Sequence, residues 1–396
     1  MRAASSLSAL GARRLYVAGV SRSWTDFLTG SSRSVAAASR TTERRRMSLS
    51  RPTTASPSLT TAAAAASPPP ASFSLYSHPR LYDAVFAFRD FEAEARFLVH
   101  AWELYGEGGE GEGLSSFLDV GCGTGRHGAA LARLLLRVSP SPAPLSLFAL
   151  DSSPEMLSAA ARAAEEAGCP LRQAIEADMT RGFEISERVQ LALCALGTLA
   201  HALPASDPGA ADPALGALRA ASGALVPGGI LVLELPAAGD LFDGTLLAGD
   251  AWDVPAGAWR KENGDGGGFA ESNPEPEQKR RIGQISRRKA SSPSSPALIV
   301  EYGLPDDDFD PVSQVLRRTV VVSEASEDGS GEAGREVGRE EVKQRLFTPA
   351  EVRALARVAG FAVAAELGDM EIGEGEESMP TAREGDRYVA VLVKKK

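Results

Sequence analysis

The sequence predicts an α/β fold: a doubly wound, seven-stranded, mostly parallel sheet with an antiparallel last strand, plus a small antiparallel sheet inserted late in the chain. Three observations carry this expectation. Short apolar runs alternate with amphipathic helical patterns, as buried parallel strands and their crossovers require. A glycine-rich stretch, Gly121 to Gly128, sits where the first of these runs gives way to a helix. The chain has 396 residues and is 43% hydrophobic, enough to bury a substantial core.

The order of elements follows from periodicity and punctuation. Residues 48–72 are mostly Ser, Thr, Ala and Pro, which bury too little apolar surface to order themselves, so the fold is expected to start near Phe73. Phe91, Ala95, Leu98, Trp102 and Tyr105 recur at spacings of four and three, the signature of one helix face, and the Gly/Glu run 106–113 ends that helix. Strands are expected at 116–120, 145–150, 171–175, 189–195 and 230–235, with helices at 126–138, 154–167 and 214–224 between them. The second of these helices is well punctuated, by Ser153 at its N-cap, Pro154 at the first helical position and Gly168 beyond its end. Val226-Pro227-Gly228-Gly229 reads as a tight turn feeding the fifth strand.

Beyond that strand the pattern breaks. Residues 242–296 are rich in Gly, Pro, Ser and charge and too long for an ordinary connection, so 242–346 is read as an insertion. Within it, 298–302, 315–322 and 342–346 suggest an antiparallel sheet, while 262–295 and 324–340 are expected to lack regular structure. The core resumes with a helix over 349–359 stopped by Gly360, a strand over 361–367 and a last strand over 388–393. No internal repeat is visible, which leaves one domain over 73–396.

Charge is divided unevenly. Residues 1–51 hold ten Arg, no Lys, and only Asp26 and Glu43 as acids, with an apolar stretch from Leu7 to Val20. That composition is expected of a cleavable transit peptide for mitochondrion or plastid, against the plainer alternative of a disordered basic tail. The remainder carries a net charge near -18, which repels phosphate backbones and anionic lipid and disfavours nucleic acid as a partner. No stretch approaches the roughly 20 apolar residues a membrane-spanning helix needs. Cys122, Cys169 and Cys194 form no Cys-x-x-Cys pair, so neither a disulfide framework nor a zinc site is expected.

Chemistry concentrates at strand ends. Asp119-Val120-Gly121-Cys122-Gly123-Thr124-Gly125 runs from a strand into a turn that opens a helix, where backbone N–H groups lie bare to a ligand. Gly123, Gly125 and Gly128 also satisfy the spacing of a dinucleotide fingerprint. Asp119 decides between ligands, because a carboxylate there repels a pyrophosphate but attracts an ammonium beside a sulfonium. Asp151, at the tip of the second strand, can accept both hydroxyls of a ribose. After the third strand, Asp178 and Met179 offer a carboxylate for an adenine amino group and an apolar face for its ring, although a bare turn aspartate is the plainer reading of Asp178.

This order of D-x-G-x-G-x-G, acidic second-strand tip, Asp-Met after the third strand and P-G-G before the fifth resembles the class I, Rossmann-like S-adenosylmethionine-dependent methyltransferases. Leu81-Tyr82-Asp83, Phe91 to Ala95, Gly125-Arg126-His127, and Arg345 to Thr348 before Gly360-Phe361 resemble, within them, small-molecule enzymes with a late lid sheet, such as the glycine and aminosugar N-methyltransferases. The resemblance implies S-adenosylmethionine as cofactor and a shell of Asp119, Gly121, Cys122, Gly123, Thr124, Gly125, Asp151, Ser152, Met156, Asp178, Met179 and Leu196, with no metal. It also implies that Tyr82 closes over the methionine end and that the inserted sheet roofs a small-molecule acceptor. His201, after the fourth strand, is the expected base for the acceptor's proton, with a packed or solvated histidine as the alternative. Gly197 and Thr198 stand where such enzymes often carry a polar pair. Two other functions compete: an NAD(P)-dependent oxidoreductase on the same glycine turn, for which no catalytic Tyr/Lys pair is found, and a cofactor-binding protein without catalysis.

Overall fold

The computed structural model describes residues 73–107, 113–138, 145–207, 209–237, 239–243, 249–255, 296–326, 333–372, 380–382 and 385–396. The leader and the 262–295 stretch lie outside the described residues. All described residues belong to one compact unit.

Two short helices open it, α1 (Pro79–Val85) and α2 (Phe91–Tyr105). The core then alternates β1 (Ser116–Val120), α3 (Arg126–Val138), β2 (Ser146–Asp151), α4 (Pro154–Glu166), β3 (Gln173–Glu176), β4 (Val189–Cys194), α5 (Pro213–Ala224) and β5 (Leu225–Pro236). A four-residue helix, α6 (Asp240–Asp243), leads to β6 (Asp250–Pro255), β7 (Pro296–Tyr302), β8 (Asp308–Asp310), β9 (Val315–Ala325) and β10 (Ala333–Arg345). The chain returns through α7 (Pro349–Val358), β11 (Phe361–Leu367) and β12 (Arg387–Lys394).

The main sheet has the order β11-β12-β5-β4-β1-β2-β3. β1 through β5 pair in parallel, and β12 inserts antiparallel between β5 and β11. The chain order reverses between β1 and β4, so their carboxyl ends diverge into the crevice where sheets of this type gather ligands. Both faces are covered, which explains the unbroken apolar strands. Leu118, Val120, Phe148 and Leu150 face α5 and α7, whereas Phe117 and Leu147 face α2 and α3. Each fully buried Leu or Phe contributes on the order of 2 kcal/mol of transfer free energy. A second, antiparallel sheet has the order β10-β9-β7-β6, with β8 on β9, and packs Val254, Leu298, Val300, Val320 and Val322 with Leu75, Leu81 and Val85 of the N-terminal segment.

Several boundaries differ from the sequence reading. The Pro-Gly-Gly turn lies inside β5: Leu225 pairs with Val189 and Ile230 with Leu191, and the chain bulges out between them with Gly228 at φ +76°. β3 begins at Gln173 rather than Leu171. β6 lies in the part of the insertion where the sequence suggests no strand, and much of 324–340 is strand rather than the structureless tract expected. There β9 and β10 pair from Ala325↔Ala333 onward through two bulges, and Arg335 pairs with Glu324 across them. Charged residues obscured this strand because its outward face is solvated, leaving Val337 and Val342 as its inward apolar markers.

Candidate functional site

The glycine turn follows β1, and its glycines serve different ends. Gly121, Gly123 and Gly125 all have positive φ, at +69°, +51° and +76°. A Cβ on Gly125 would lie 2.8 Å from the Ala160 backbone of α4, and one on Gly121 would lie 2.3 Å from the Thr198 side chain, so these two glycines permit close packing. A Cβ on Gly123 would meet only the Tyr82 ring, at 3.4 Å. Gly121 and Cys122 donate their N–H groups to Leu150 O at 2.7 and 2.9 Å, clamping the turn to β2. The Cys122 thiol is buried and its pKa pushed up by that burial.

Asp119 is 2% exposed, and its Oδ2 has no hydrogen-bond partner. It borders a void of about 10 Å³ shared with Cys122, Gly125 and Ala149, room for one water at most. Burial raises the carboxyl pKa to about 6, with His127 pulling it back and Asp151 adding to the rise. A buried acid with an open valence beneath the glycine turn is a standing demand for a cation or a hydrogen-bond donor.

Asp151 closes β2. Its Oδ2 accepts the Gly123 N–H at 2.8 Å and its Oδ1 the Ser153 N–H at 2.9 Å, and burial still raises its pKa. Ser152 beside it is exposed, Ser153 caps α4 through the Met156 N–H, and the Met156 side chain is fully buried. Asp178 is turned inward on its own loop, accepting both Thr180 N and Thr180 Oγ1 at 2.9 and 2.7 Å, and Met179 is buried in the core on the α5 side. Oδ1 of Asp178 thus fills the local turn role weighed for it, and Oδ2 lies 3.4 Å from Arg181 Nε.

At the end of β4, Leu196 has φ +54°, one of two non-glycine residues with positive φ among those described, a conformation that costs roughly 1 kcal/mol. A 3-10 turn, Thr198–His201, follows. The imidazole Nε2 of His201 lies 3.3 Å from the Tyr76 hydroxyl. Burial lowers the His201 pKa, opposed by the Glu340 carboxylate, a hydrogen bond to the Lys343 backbone and Asp151.

The N-terminal segment spans this crevice. Tyr82 stands over Gly123, and burial beside Asp151 raises its hydroxyl pKa. The next residue, Asp83, accepts a 2.5 Å hydrogen bond from Thr124 Oγ1 and lies 3.5 Å from Arg126, which latches α1 to the glycine turn. Tyr76 O accepts from Ser153 Oγ at 2.9 Å, and Glu340 of β10 takes Ser74 Oγ and the Leu75 N–H at 2.9 and 2.7 Å. One short segment is thus fastened to the first two strand ends and to the inserted sheet.

Behind the turn lies a buried charge network. Glu94 of α2 accepts Arg89 Nη2 and Arg387 Nη1 on one oxygen, at 2.9 and 2.8 Å, and pairs with His127 Nε2 on the other at 2.8 Å. Against burial, which raises it, the hydrogen bond to His127 and the Arg89 and Arg387 guanidinium groups hold its carboxyl down, to about 2. Arg89 also grips Glu234 through both nitrogens, at 2.8 and 3.0 Å.

The structure gathers Asp119, the glycine turn, Asp151, Leu196, Tyr82 and His201 about the β1/β4 crevice, with Asp178 and Met179 on the loop after β3. Sequence reasoning missed Tyr76, Asp83, Glu340, Arg89 and Glu234. For Asp83 the Tyr-Asp dipeptide was the available signal; the others lie on segments with no motif. Among the described residues no cluster of three His, Cys, Asp or Glu is placed to hold a metal. An orphaned buried carboxylate oxygen, an acid at the β2 tip and a glycine that leaves the turn bare fit a ligand carrying an ammonium and ribose hydroxyls. The buried Asp119 carboxylate beside the turn fits a dinucleotide pyrophosphate poorly.

Comparison with known proteins agrees with this geometry. A family model described as a methyltransferase domain matches residues 117–229. No curated protein sequence matches the chain. Among solved structures, an S-adenosylmethionine-dependent methyltransferase from Clostridium acetobutylicum is similar in fold, at 14% identity and a TM-score of 0.50, over 80% of this chain and 97% of that one. An amino pentose methyltransferase from Micromonospora echinaspora (19% identity, TM-score 0.47, 80% and 97% covered) and a sugar N-methyltransferase from Streptoalloteichus (21%, 0.46, 80% and 93%) also align. With Asp119, the glycine turn and Asp151 at the strand ends of the matched region, the chain carries a methyltransferase domain over residues 117–229, built on a Rossmann-like, doubly wound seven-stranded sheet.

Proposed function

We propose that the enzyme methylates a small molecule at nitrogen or oxygen, with His201 receiving the proton the acceptor loses. The observation that carries this reading is the double cover over the β4 end. Tyr76 of the N-terminal segment meets the imidazole, β10 of the inserted sheet supplies Glu340 and the Lys343 backbone beside it, and Glu340 ties the two covers together. A site roofed from two sides suits an acceptor that can be enclosed whole, and excluding water is most of what a displacement at activated carbon asks of a protein.

Bound S-adenosylmethionine supplies an electrophilic methyl group on a sulfonium. Around it, Asp119 and the Leu196 backbone would meet the methionine end, the glycine turn, free of a side chain at Gly123, and Asp151 would bind the ribose side, and Ser152, Met156, Asp178 and Met179 would line the adenine side. Tyr82 would cover the methionine end from α1. His201 carries a pKa below the usual histidine value, so its ring is neutral at pH 7 and ready to take a proton. The residues before the domain would act as an organellar leader, for mitochondrion or plastid. Fusing residues 1–72 to a fluorescent protein tests that address, and diffuse cytosolic fluorescence would remove it.

The function itself is tested by incubating the full chain with methyl-tritiated cofactor and a cell extract fractionated by size. Label in the small-molecule fraction supports the reading; label confined to protein or RNA contradicts it.

A further inference from the structure

The turn after β4 is closed by the Thr198 N–H donating to Ala195 O at 3.0 Å, with Leu196 and Gly197 at its centre and φ of +54° and +68°. Positive φ at both central positions defines a type I′ turn, a geometry in which Gly, Asn and Asp dominate. Gly197 meets that demand. Leu196 does not: its Cβ crowds the backbone, and it has no short polar side chain to bond locally.

Something outside the turn must hold it, and the structure shows what does. The Leu196 N–H donates at 2.9 Å to Oε2 of Glu234, on β5. Glu234 is 4% exposed, and the same carboxylate is gripped through both oxygens by Arg89. Arg89 is in turn held by Glu94, which Arg387 also contacts. The anchor is therefore a buried, charge-balanced carboxylate that cannot swing away. What it anchors is next to the ligand crevice, since Thr198, two residues on, packs against Gly121 so closely that a Cβ there would sit 2.3 Å from its methyl group.

We infer that Glu234, with Arg89 behind it, is a positioning residue for the cofactor site: it locks the Ala195–Thr198 turn in its left-handed form and thereby fixes Leu196 and, through Thr198, the first glycine of the glycine turn. The inference rests on the cofactor shell proposed above, in which Leu196 faces the methionine end. It goes further by assigning the control of that face to two side chains that touch no ligand. The null alternative is that Glu234 only neutralises Arg89 in the core, in which case losing it lowers stability and leaves the folded site as it was.

A double-mutant cycle separates the two. S-adenosylhomocysteine is titrated calorimetrically into full-length wild type, Glu234→Gln, Leu196→Gly and the double variant, and exchange of the Leu196 amide is followed by hydrogen–deuterium exchange. Glu234→Gln should weaken binding by about tenfold, the scale of one strained residue released, and accelerate exchange at Leu196. On the Leu196→Gly background the same change should cost less than about twofold, because glycine adopts the turn unaided. An equal loss on both backgrounds, or unchanged affinity in Glu234→Gln, overturns the inference. If Glu234→Gln does not fold, Arg89→Lys, which keeps the charge but not the two-point grip, should give the same pattern on a smaller scale, and its absence there overturns the inference as well. Failure of the wild type to bind the homocysteine product would overturn the proposed shell itself, a result distinct from additivity in the cycle.

Discussion

The hydroxyl of Tyr76 lies 3.3 Å from Nε2 of His201, joining the segment that precedes α1 to the turn that follows β4. Which of the two groups donates depends on the imidazole tautomer, and burial lowers the ring's pKa. His201→Ala should lower turnover by on the order of 10² while cofactor affinity, measured calorimetrically, stays the same. The acid limb of the turnover profile should lie below the usual histidine value, with activity lost as pH falls through it. Tyr76→Phe should cost less, about three- to tenfold, the worth of one hydrogen bond. Full turnover in His201→Ala at pH 7 would make the histidine a packing residue.

Asp119 should show a conflict between stability and binding. Its folded-state pKa is raised from 3.8 to about 6, so ionisation favours the unfolded chain. The penalty is absent below about pH 4, grows as pH rises towards 6, and is then constant at no more than about 3 kcal/mol. Asp119→Asn should therefore melt higher than wild type at pH 7.5 with the gain vanishing near pH 4, and it should lose S-adenosylmethionine binding. A pH-independent difference in melting temperature would show that the carboxyl is not held in this state.

The glycines should rank by what a Cβ would strike. Gly125→Ala meets backbone of α4 at 2.8 Å and should destabilise by about 2–4 kcal/mol in chemical denaturation, from overpacking and the left-handed conformation together. Gly121→Ala meets a side chain and should be partly rescued by Thr198→Ala. Equal, unrescued losses at both positions would mean that φ alone governs them.

These outcomes bear on what a sequence reveals. The glycine turn, the caps of α4 and the succession of strands were legible because they rest on local rules: glycines between a strand and a helix start, Ser153 before Pro154, apolar runs buried on two faces. Asp178 reads as a ligand residue only from its place in a series of strand-end acids, and the bonds of its Oδ1 to Thr180 are visible only in the structure. Tyr76 and His201 are 125 residues apart and Ser74 and Glu340 are 266 apart, so no window along the chain can join them. β10 hid because a strand with a solvated face reads as a charged tract.

Glu340 should act as the clasp of the N-terminal segment. Glu340→Ala removes the acceptor for Ser74 Oγ and the Leu75 N–H and should cost about 1–3 kcal/mol locally. Deuterium exchange should rise across residues 74–85 and not in β1 or α3. Exchange rising uniformly over the domain would show that Glu340 supports the fold rather than this segment.

The central claim is that the β1 glycine turn and its buried acid bind S-adenosylmethionine, and calorimetric titration of S-adenosylhomocysteine and of NADH into wild type and Gly123→Val tests it most directly. The account predicts saturable binding of the homocysteine product to wild type, none detectable in folded Gly123→Val, and NADH far weaker than either natural form of the methyl cofactor. Binding of the product that survives Gly123→Val unchanged, or NADH binding more tightly than it, would contradict the account.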